Sequence, residues 1–294
     1  MSEAPLVAVT GAAGRLGAAL LDALRAEGLR TRCLVHRRPV DGADETVAGD
    51  VRDAAALDRL LAGADALVHA AAVTHARAPA AYERVNVEGT RAVLDAAARA
   101  GVRRVVLVST SALGASGGAY SRSKLAAEEL ARAAALPVTV VRLPELWGGA
   151  GGGEGIDALV ASARRGRPLP VVGRGDQELR PVHVEDAARA LAAAVTSAAA
   201  EGRTYTLAGE RTTFAELARR LAEASGGRSR VVHVPEPLVR AAAAAARVLP
   251  LPLVPDQPAR LRVPRPDPTP AAGPDLGFRP RPFEEALRAV RERG

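Results

Sequence analysis

Short apolar runs alternate with longer stretches of helical period through the first half of the chain. Leu6–Val9 reads as a buried strand, followed by a glycine-rich turn and an amphipathic helix from about Arg15 to Glu27. Thr31–Val35 predicts a second strand, and Ala54–Leu61 a helix with Asp53 as its N-cap. Ala66–His69 gives a third strand, Asn86–Ala100 a helix, and Arg104–Val108 a fourth strand. Tyr120–Ala135 is a strong helical run, and Val138–Leu143 a fifth strand. Short strands separated by helices require right-handed crossovers, and hence a parallel sheet.

The expectation is an α/β fold, a doubly wound parallel sheet of the Rossmann type, with a smaller C-terminal lobe for substrate. After Trp147 the pattern changes: Gly148–Gly155 holds six glycines and reads as a hinge or lid. Helices follow at Ile156–Arg165 and Val184–Ser197, the second with a cap region at Glu185 and Asp186. Thr204–Leu207 is a strand, and Thr213–Ser225 a helix opened by a Thr-x-x-Glu capping pattern. Val231–Val234 is a strand, Leu238–Val248 an Ala-rich helix, and a proline-dense loop runs through Pro274 to a final helix at Phe283–Arg293. The domain reading is residues 1–148 plus about 178–208 for the sheet, and about 149–177 plus 209–294 for the lobe.

Composition sharpens this picture. In 294 residues, 48% hydrophobic and 25% charged, there is ample material for a core, and disorder is excluded. The net charge of +7 invites a nucleic-acid reading. Scattered arginines and only one Trp, three Tyr and three Phe argue against it and for an anionic small ligand. No apolar run approaches a membrane span, and the first strand begins by Leu6, so neither membrane insertion nor a signal peptide is expected. The one cysteine, Cys33, forms no internal disulfide and fits a cytoplasmic location. No metal site is expected. All but one of the 40 basic residues are arginine; the exception is Lys124, and the sole asparagine is Asn86. A position that keeps lysine in such a chain needs a compact ammonium with an adjustable pKa.

The loop after the first strand reads Gly11-Ala12-Ala13-Gly14-Arg15-Leu16-Gly17 and opens a helix. Glycines let the backbone approach a pyrophosphate, and the helix N-terminus offers it free N–H groups. This is a dinucleotide-binding context. The second strand ends in His36-Arg37-Arg38 with no carboxylate for a ribose 2′-hydroxyl, which favours NADP, NAD being the alternative. Arg15 is expected to join Arg37 and Arg38 at the 2′-phosphate.

Tyr120 and Lys124 stand four residues apart, on one face of a helix. A phenol with a pKa near 10 is a poor base at neutral pH, but adjacent cations favour the phenolate. Such a tyrosine gives a proton to a carbonyl in reduction, or takes one from an alcohol in oxidation. The fourth strand runs out through Thr110 and Ser111, either of which supplies a hydroxyl to polarise the substrate oxygen.

These residues, with Gly49-Asp50-Val51, His69-Ala70-Ala71-Ala72, Asn86-Val87-Glu88-Gly89-Thr90, Arg142-Leu143-Pro144 and His183-Val184-Glu185-Asp186, resemble the extended short-chain dehydrogenase/reductases, the NAD-dependent epimerase/dehydratase family. The resemblance implies that Asp50 and Val51 flank the adenine, and that Ala70, Ala71, Ala72 and Leu143 line the cofactor cleft. It implies Tyr120 as acid/base, Lys124 on the nicotinamide ribose, Thr110 or Ser111 as hydroxyl donor, and Asn86 near the active site, the alternative for Asn86 being a helix cap. His69 and His183 are expected to be structural. A homodimer through two long helices is an assembly seen in that family.

Sugar-nucleotide members carry an asparagine where this chain has Glu145, and an arginine where it has Leu179, with Arg180 one step displaced. These departures favour a small-molecule carbonyl or alcohol substrate over a nucleotide sugar. Three readings follow: a hydride-transfer oxidoreductase, an epimerase or dehydratase, and a non-catalytic NADP-sensing module.

Overall fold

The protein is described here from a computed structural model covering residues 4–149, 155–245, 257–260 and 262–292. The expected strands form: β1 (Leu6–Thr10), β2 (Arg30–Val35), β4 (Ala66–His69), β5 (Arg104–Thr110) and β6 (Val138–Leu143). They build one parallel sheet with Thr204–Thr206 and with an unexpected strand, β3 (Glu45–Ala48). The order is Thr204–Thr206, β6, β5, β4, β1, β2, β3. β3 escapes the sequence pattern because it is a half-exposed edge; Glu45 pairs there with Arg30 at 2.8 Å and Arg32 at 2.6 Å.

β1 lies between β2 and β4, so the strand order reverses at β1, and its carboxyl edge opens a crevice. Helices cover both faces. Leu20, Leu24, Val7, Val9 and Leu191 belong to one core layer, and Leu57, Leu60, Leu67, Val93 and Leu107 to the other. A third core gathers around Trp147, Leu159, Leu179, Leu217 and Leu287. Ala272 and Leu276, late in the chain, pack on the first core rather than on the third. Cys33 is buried, and burial pushes its thiol up to about 12.

Local signals behave as the chemistry requires. Asp53 caps Ala54–Leu61 by accepting from the Ala56 amide, and Thr213 caps Phe214–Ala224 by accepting from the Glu216 amide at 3.1 Å. The expected cap of Val184–Thr196 moves: His183 Nδ1 accepts from the Glu185 amide at 3.3 Å. Asp186 is buried instead and takes the Arg281 amide at 2.7 Å, anchoring the C-terminal segment.

The helix expected from Asn86 starts earlier. Pro79 opens a helical turn at Pro79–Tyr82, which continues through a π-helical turn, Glu83–Glu88, into Gly89–Arg99. The glycine hinge reading falls largely on residues 150–154, and the end of the Ala-rich helix on 246–248, outside the described residues. In the proline-dense region, short helices stand at Gln257–Arg260 and Ala272–Leu276.

Candidate active site

The glycine loop leaves β1 at Gly11, whose φ of 81° is a left-handed conformation. A Cβ there would lie 2.6 Å from the Ala70 carbonyl carbon and the Ala71 nitrogen, so glycine lets the next crossover approach. A Cβ on Gly17 would stand 2.4 Å from the Ala12 carbonyl oxygen. The helix Arg15–Ala26 then begins at Gly14 without a side-chain cap, and its first-turn N–H groups face the crevice.

That crevice is a cleft of about 1080 Å³ along the carboxyl edge of the sheet. Gly11, Ala13, Gly14, Arg15, Leu16 and Gly17 form its floor, with His36, Arg37, Arg38, Asp50 and Val51 at one end. Ala70, Ala71 and Ala72 form a wall, and Thr110, Tyr120, Lys124 and Leu143 stand at the other end. The cradle fits a dinucleotide, with the pyrophosphate at the helix N-terminus. Arg37 and Arg38 are exposed at the cleft mouth. Asp50 is neutralised beside them: Arg52 binds it at 2.8 Å and holds its carboxyl below the usual range, and His36 lies 3.6 Å away.

Arg15 lines the cleft and has a partner outside the glycine loop. It forms an ion pair with Asp157 and donates to the Leu146 carbonyl at 3.1 Å. Asp157 stands on the helix Gly155–Arg164, so the pair ties the glycine loop to that helix.

At the far end, Lys124 is buried on the helix Gly118–Ala133, and its Nζ donates to the Val108 carbonyl at 2.7 Å. Burial lowers its pKa to about 8, with nearby Glu128 acting in the opposite direction. Glu128 is buried too, accepting from Ser109 Oγ at 2.6 Å and Arg142 Nη2 at 2.6 Å. Thr110 faces the cleft; its Oγ1 accepts from the Ala112 amide at 3.1 Å, which leaves its O–H to donate. Ser111 is buried away from the cleft lining, its amide bonded to the Leu143 carbonyl at 2.8 Å. Of the two hydroxyl residues, Thr110 is the one on the cleft lining.

Asn86 is neither a helix cap nor a cleft-lining group. Its Nδ2 donates to the Val73 carbonyl at 3.0 Å and Ser123 Oγ at 2.9 Å, while Oδ1 accepts from the Val73 amide at 2.8 Å. Ser123 Oγ in turn donates to the Tyr120 carbonyl at 2.7 Å. Asn86 therefore fixes the cleft wall against the tyrosine helix.

His69 is buried between Thr10 Oγ1 at 2.7 Å and Thr90 Oγ1 at 3.0 Å. Thr90 donates to the Asn86 carbonyl at 2.7 Å, so it accepts from His69 Nε2–H. Nδ1 then accepts from Thr10, whose oxygen takes the Ala71 amide at 3.2 Å. Burial, reinforced by the Lys124 charge, drives the imidazole pKa down to about 3. His183, packed edge-on against Trp147 at 4.6 Å, is also structural.

Two neighbours of Tyr120 carry no sequence signal. Tyr82 meets its ring edge-on at 6.0 Å, and the Arg260 guanidinium stands 4.0 Å from its centroid. Arg260 lies in an irregular proline-rich stretch with no period or motif to mark it. At the departures from the sugar-nucleotide pattern, Glu145 is paired with Arg265, Leu179 is buried, and Arg180 is held by Glu178 at 2.7 Å.

A dinucleotide cradle at the switch point of a Rossmann sheet defines a nucleotide-dependent enzyme class. The sequence matches the NAD dependent epimerase/dehydratase family over residues 7–208, and the chain belongs to that family. It is similar to a ceramide reductase of Caulobacter vibrioides, 36% identical over 254 residues, which cover 81% of this chain and 76% of the relative. An epimerase from Methanothermobacter thermautotrophicus superposes with a TM-score of 0.79 at 23% identity, covering 99% of this chain and 92% of the other. The dTDP-glucose 4,6-dehydratase of Streptomyces venezuelae, solved with NAD bound, superposes with a TM-score of 0.77 at 25% identity, covering 98% and 96%. The protein is an NAD(P)-dependent enzyme of the oxidoreductase, epimerase and dehydratase class. Among the described residues, no helix is long and apolar enough to cross a membrane.

Proposed function

We propose that the chain is an NADP-dependent oxidoreductase that interconverts a small-molecule carbonyl and its alcohol. The observation that carries this reading is the buried Lys124 ammonium on the same helix face as Tyr120, at the end of the dinucleotide cleft. The nicotinamide, when bound, supplies or accepts the hydride. Tyr120 Oη gives a proton to the carbonyl oxygen in reduction and takes it back from the alcohol in oxidation. Thr110 Oγ1 donates a hydrogen bond to that oxygen as negative charge develops on it. Lys124 favours the phenolate and holds the ribose, while its bond to Val108 keeps it in place.

Arg37 and Arg38 support NADP: they stand at the adenine end, and Arg52 cancels the charge of the nearby Asp50. The likeness to a ceramide reductase supports reduction as the net chemistry. The test is Tyr120→Phe. It should bind NADPH as the parent does and lose turnover by about 10²- to 10⁴-fold on any ketone that the parent reduces. Full turnover in that variant refutes the role of Tyr120.

A second reading, epimerisation or dehydration of a nucleotide sugar, draws support from one contact. Arg265 neutralises Glu145, so that carboxylate does not repel a diphosphate. Against it, Arg180 is bound to Glu178 and Leu179 is buried, so the arginine that such enzymes use has no free counterpart at this place. Product formation from a nucleotide sugar without net NADPH consumption would select this second reading.

A further inference from the structure

A cluster of largely buried polar side chains lies one helical turn beyond Lys124. Tyr120, Lys124 and Glu128 follow one another at intervals of four on the helix Gly118–Ala133, so they share a face. Glu128 is only 1% exposed. Its Oε1 accepts from Ser109 Oγ at 2.6 Å and from Arg142 Nε at 3.0 Å, and its Oε2 from Arg142 Nη2 at 2.6 Å. Ser109 and Arg142 stand opposite each other in the register of β5 and β6, so one carboxylate ties both strands to the tyrosine helix. Ser109 is flanked by Val108, whose carbonyl takes Lys124 Nζ at 2.7 Å, and by Thr110, which faces the cleft.

We propose that Glu128 is a positioning residue for Lys124: its carboxylate, held in place by Ser109 and Arg142, is the fixed counter-charge that keeps the buried ammonium charged. This inference rests on the reading of Lys124 as the cation that serves Tyr120. An ammonium taken out of water tends to lose its proton unless an anion or aligned dipoles replace its hydration. Tyr120 and Glu128 share the helix of Lys124, β5 offers the Val108 carbonyl, β4 brings His69, and β6 brings Arg142 behind Glu128. His69 is a neutral imidazole there, since burial holds its pKa at about 3. Burial pushes the lysine toward its neutral form, and Glu128 acts against that push. Arg142 has two effects of its own. Its planar fork fixes the direction of the carboxylate, and its charge offsets part of the field that the carboxylate exerts at Lys124. The cluster thus sets how firmly Lys124 keeps its proton, besides holding the helix to the sheet.

Lys124 is the sole lysine of the chain, so isotope labelling of lysine gives a single side-chain signal. Its titration is followed by NMR in the full-length chain, without substrate or cofactor. Glu128→Gln should lower the midpoint by about one pH unit, and Glu128→Asp, which keeps the charge, should restore at least half of that loss. Arg142→Gln should move the midpoint the other way, upward by about half a pH unit, because the carboxylate is then no longer offset. Circular dichroism identifies which variants are folded, and one folded variant of the Gln pair suffices. An unmoved midpoint in a folded Glu128→Gln or Arg142→Gln overturns the proposal. So does a fall in both, or a fall that aspartate fails to restore, since either marks disturbed packing rather than charge. Full turnover by Tyr120→Phe would overturn the acid/base reading without touching the lysine titration, so the two failures are distinguishable.

Discussion

Lys124 Nζ donates to the Val108 carbonyl at 2.7 Å, a bond that joins the tyrosine helix to the strand that delivers Thr110 to the cleft. The donor and its acceptor are both buried, so this cation sits in a place cut for an ammonium. Lys124→Arg should therefore fail in both respects. The larger guanidinium overpacks the site, costing about 1–3 kcal/mol in urea unfolding, and turnover falls by about 10²-fold or more. Lys124→Met should fold but lose turnover. The folded lysine releases its proton near 8 and the unfolded one near 10.5. Between those values the unfolded chain holds more protons, so stability rises with pH through this group. The parent-minus-Lys124→Met difference in unfolding free energy should rise across pH 8 to 10.

Arg37 and Arg38 stand exposed at the cleft mouth, beside an Asp50 whose charge Arg52 already meets. Replacing both with alanine should weaken NADPH binding by about 10- to 100-fold, the worth of one or two charge-assisted contacts. NADH binding should change by less than about threefold. Cofactor fluorescence titrations of both nucleotides check this, and equal losses for the two would remove the 2′-phosphate from that place.

The sheet was legible because buried parallel strands are continuous apolar runs bounded by turns, as in Val138–Leu143. The edge strand Glu45–Ala48 was not, since it buries one side only and carries Glu45 and Thr46. That the glycine loop, Tyr120 and Lys124 share one cleft was legible, because their placement depends on local spacing. The ion pair of Arg15 with Asp157 is not legible in the sequence, because the partner lies 142 positions away. The approach of Arg260 to the Tyr120 ring is not legible for the same reason, since the two meet only in three dimensions. Sequence separates what a loop or a helix face can do from what it cannot. It does not say which distant charge arrives.

His69 makes the fold acid-sensitive. The unfolded imidazole takes up its proton near 6.5 and the folded one near 3. Across that window the unfolded chain holds more protons, so stability is full above pH 6.5 and declines as pH falls toward 3. The slope from this group alone is about 1.4 kcal/mol per pH unit, or about 2 kcal/mol lost by pH 5. His69→Gln, which does not titrate, should be less stable at pH 7.5 because the Thr10–His69–Thr90 chain is broken. It should also lose less between pH 6.5 and 5. Parallel slopes for parent and variant would refute the buried neutral imidazole.

Arg15 and Asp157 join the glycine loop to the helix Gly155–Arg164. The Arg15 side chain is 25% exposed and that of Asp157 12%, so the pair is only partly screened by water. Asp157 also accepts the Gly148 amide at 2.8 Å, and Arg15 reaches the Leu146 carbonyl. Arg15→Ala leaves a partly buried carboxylate without its cation and should cost about 1–3 kcal/mol in urea unfolding. Asp157→Ala should cost a similar amount, and the double variant clearly less than the sum, because both singles break one contact. If Arg15 stays paired with Asp157 when nucleotide binds, Arg15→Ala should change NADPH and NADH affinity by the same factor, unlike the loss at Arg37 and Arg38. A selective loss of NADPH binding would return Arg15 to the 2′-phosphate and show that the ion pair gives way when the nucleotide is present.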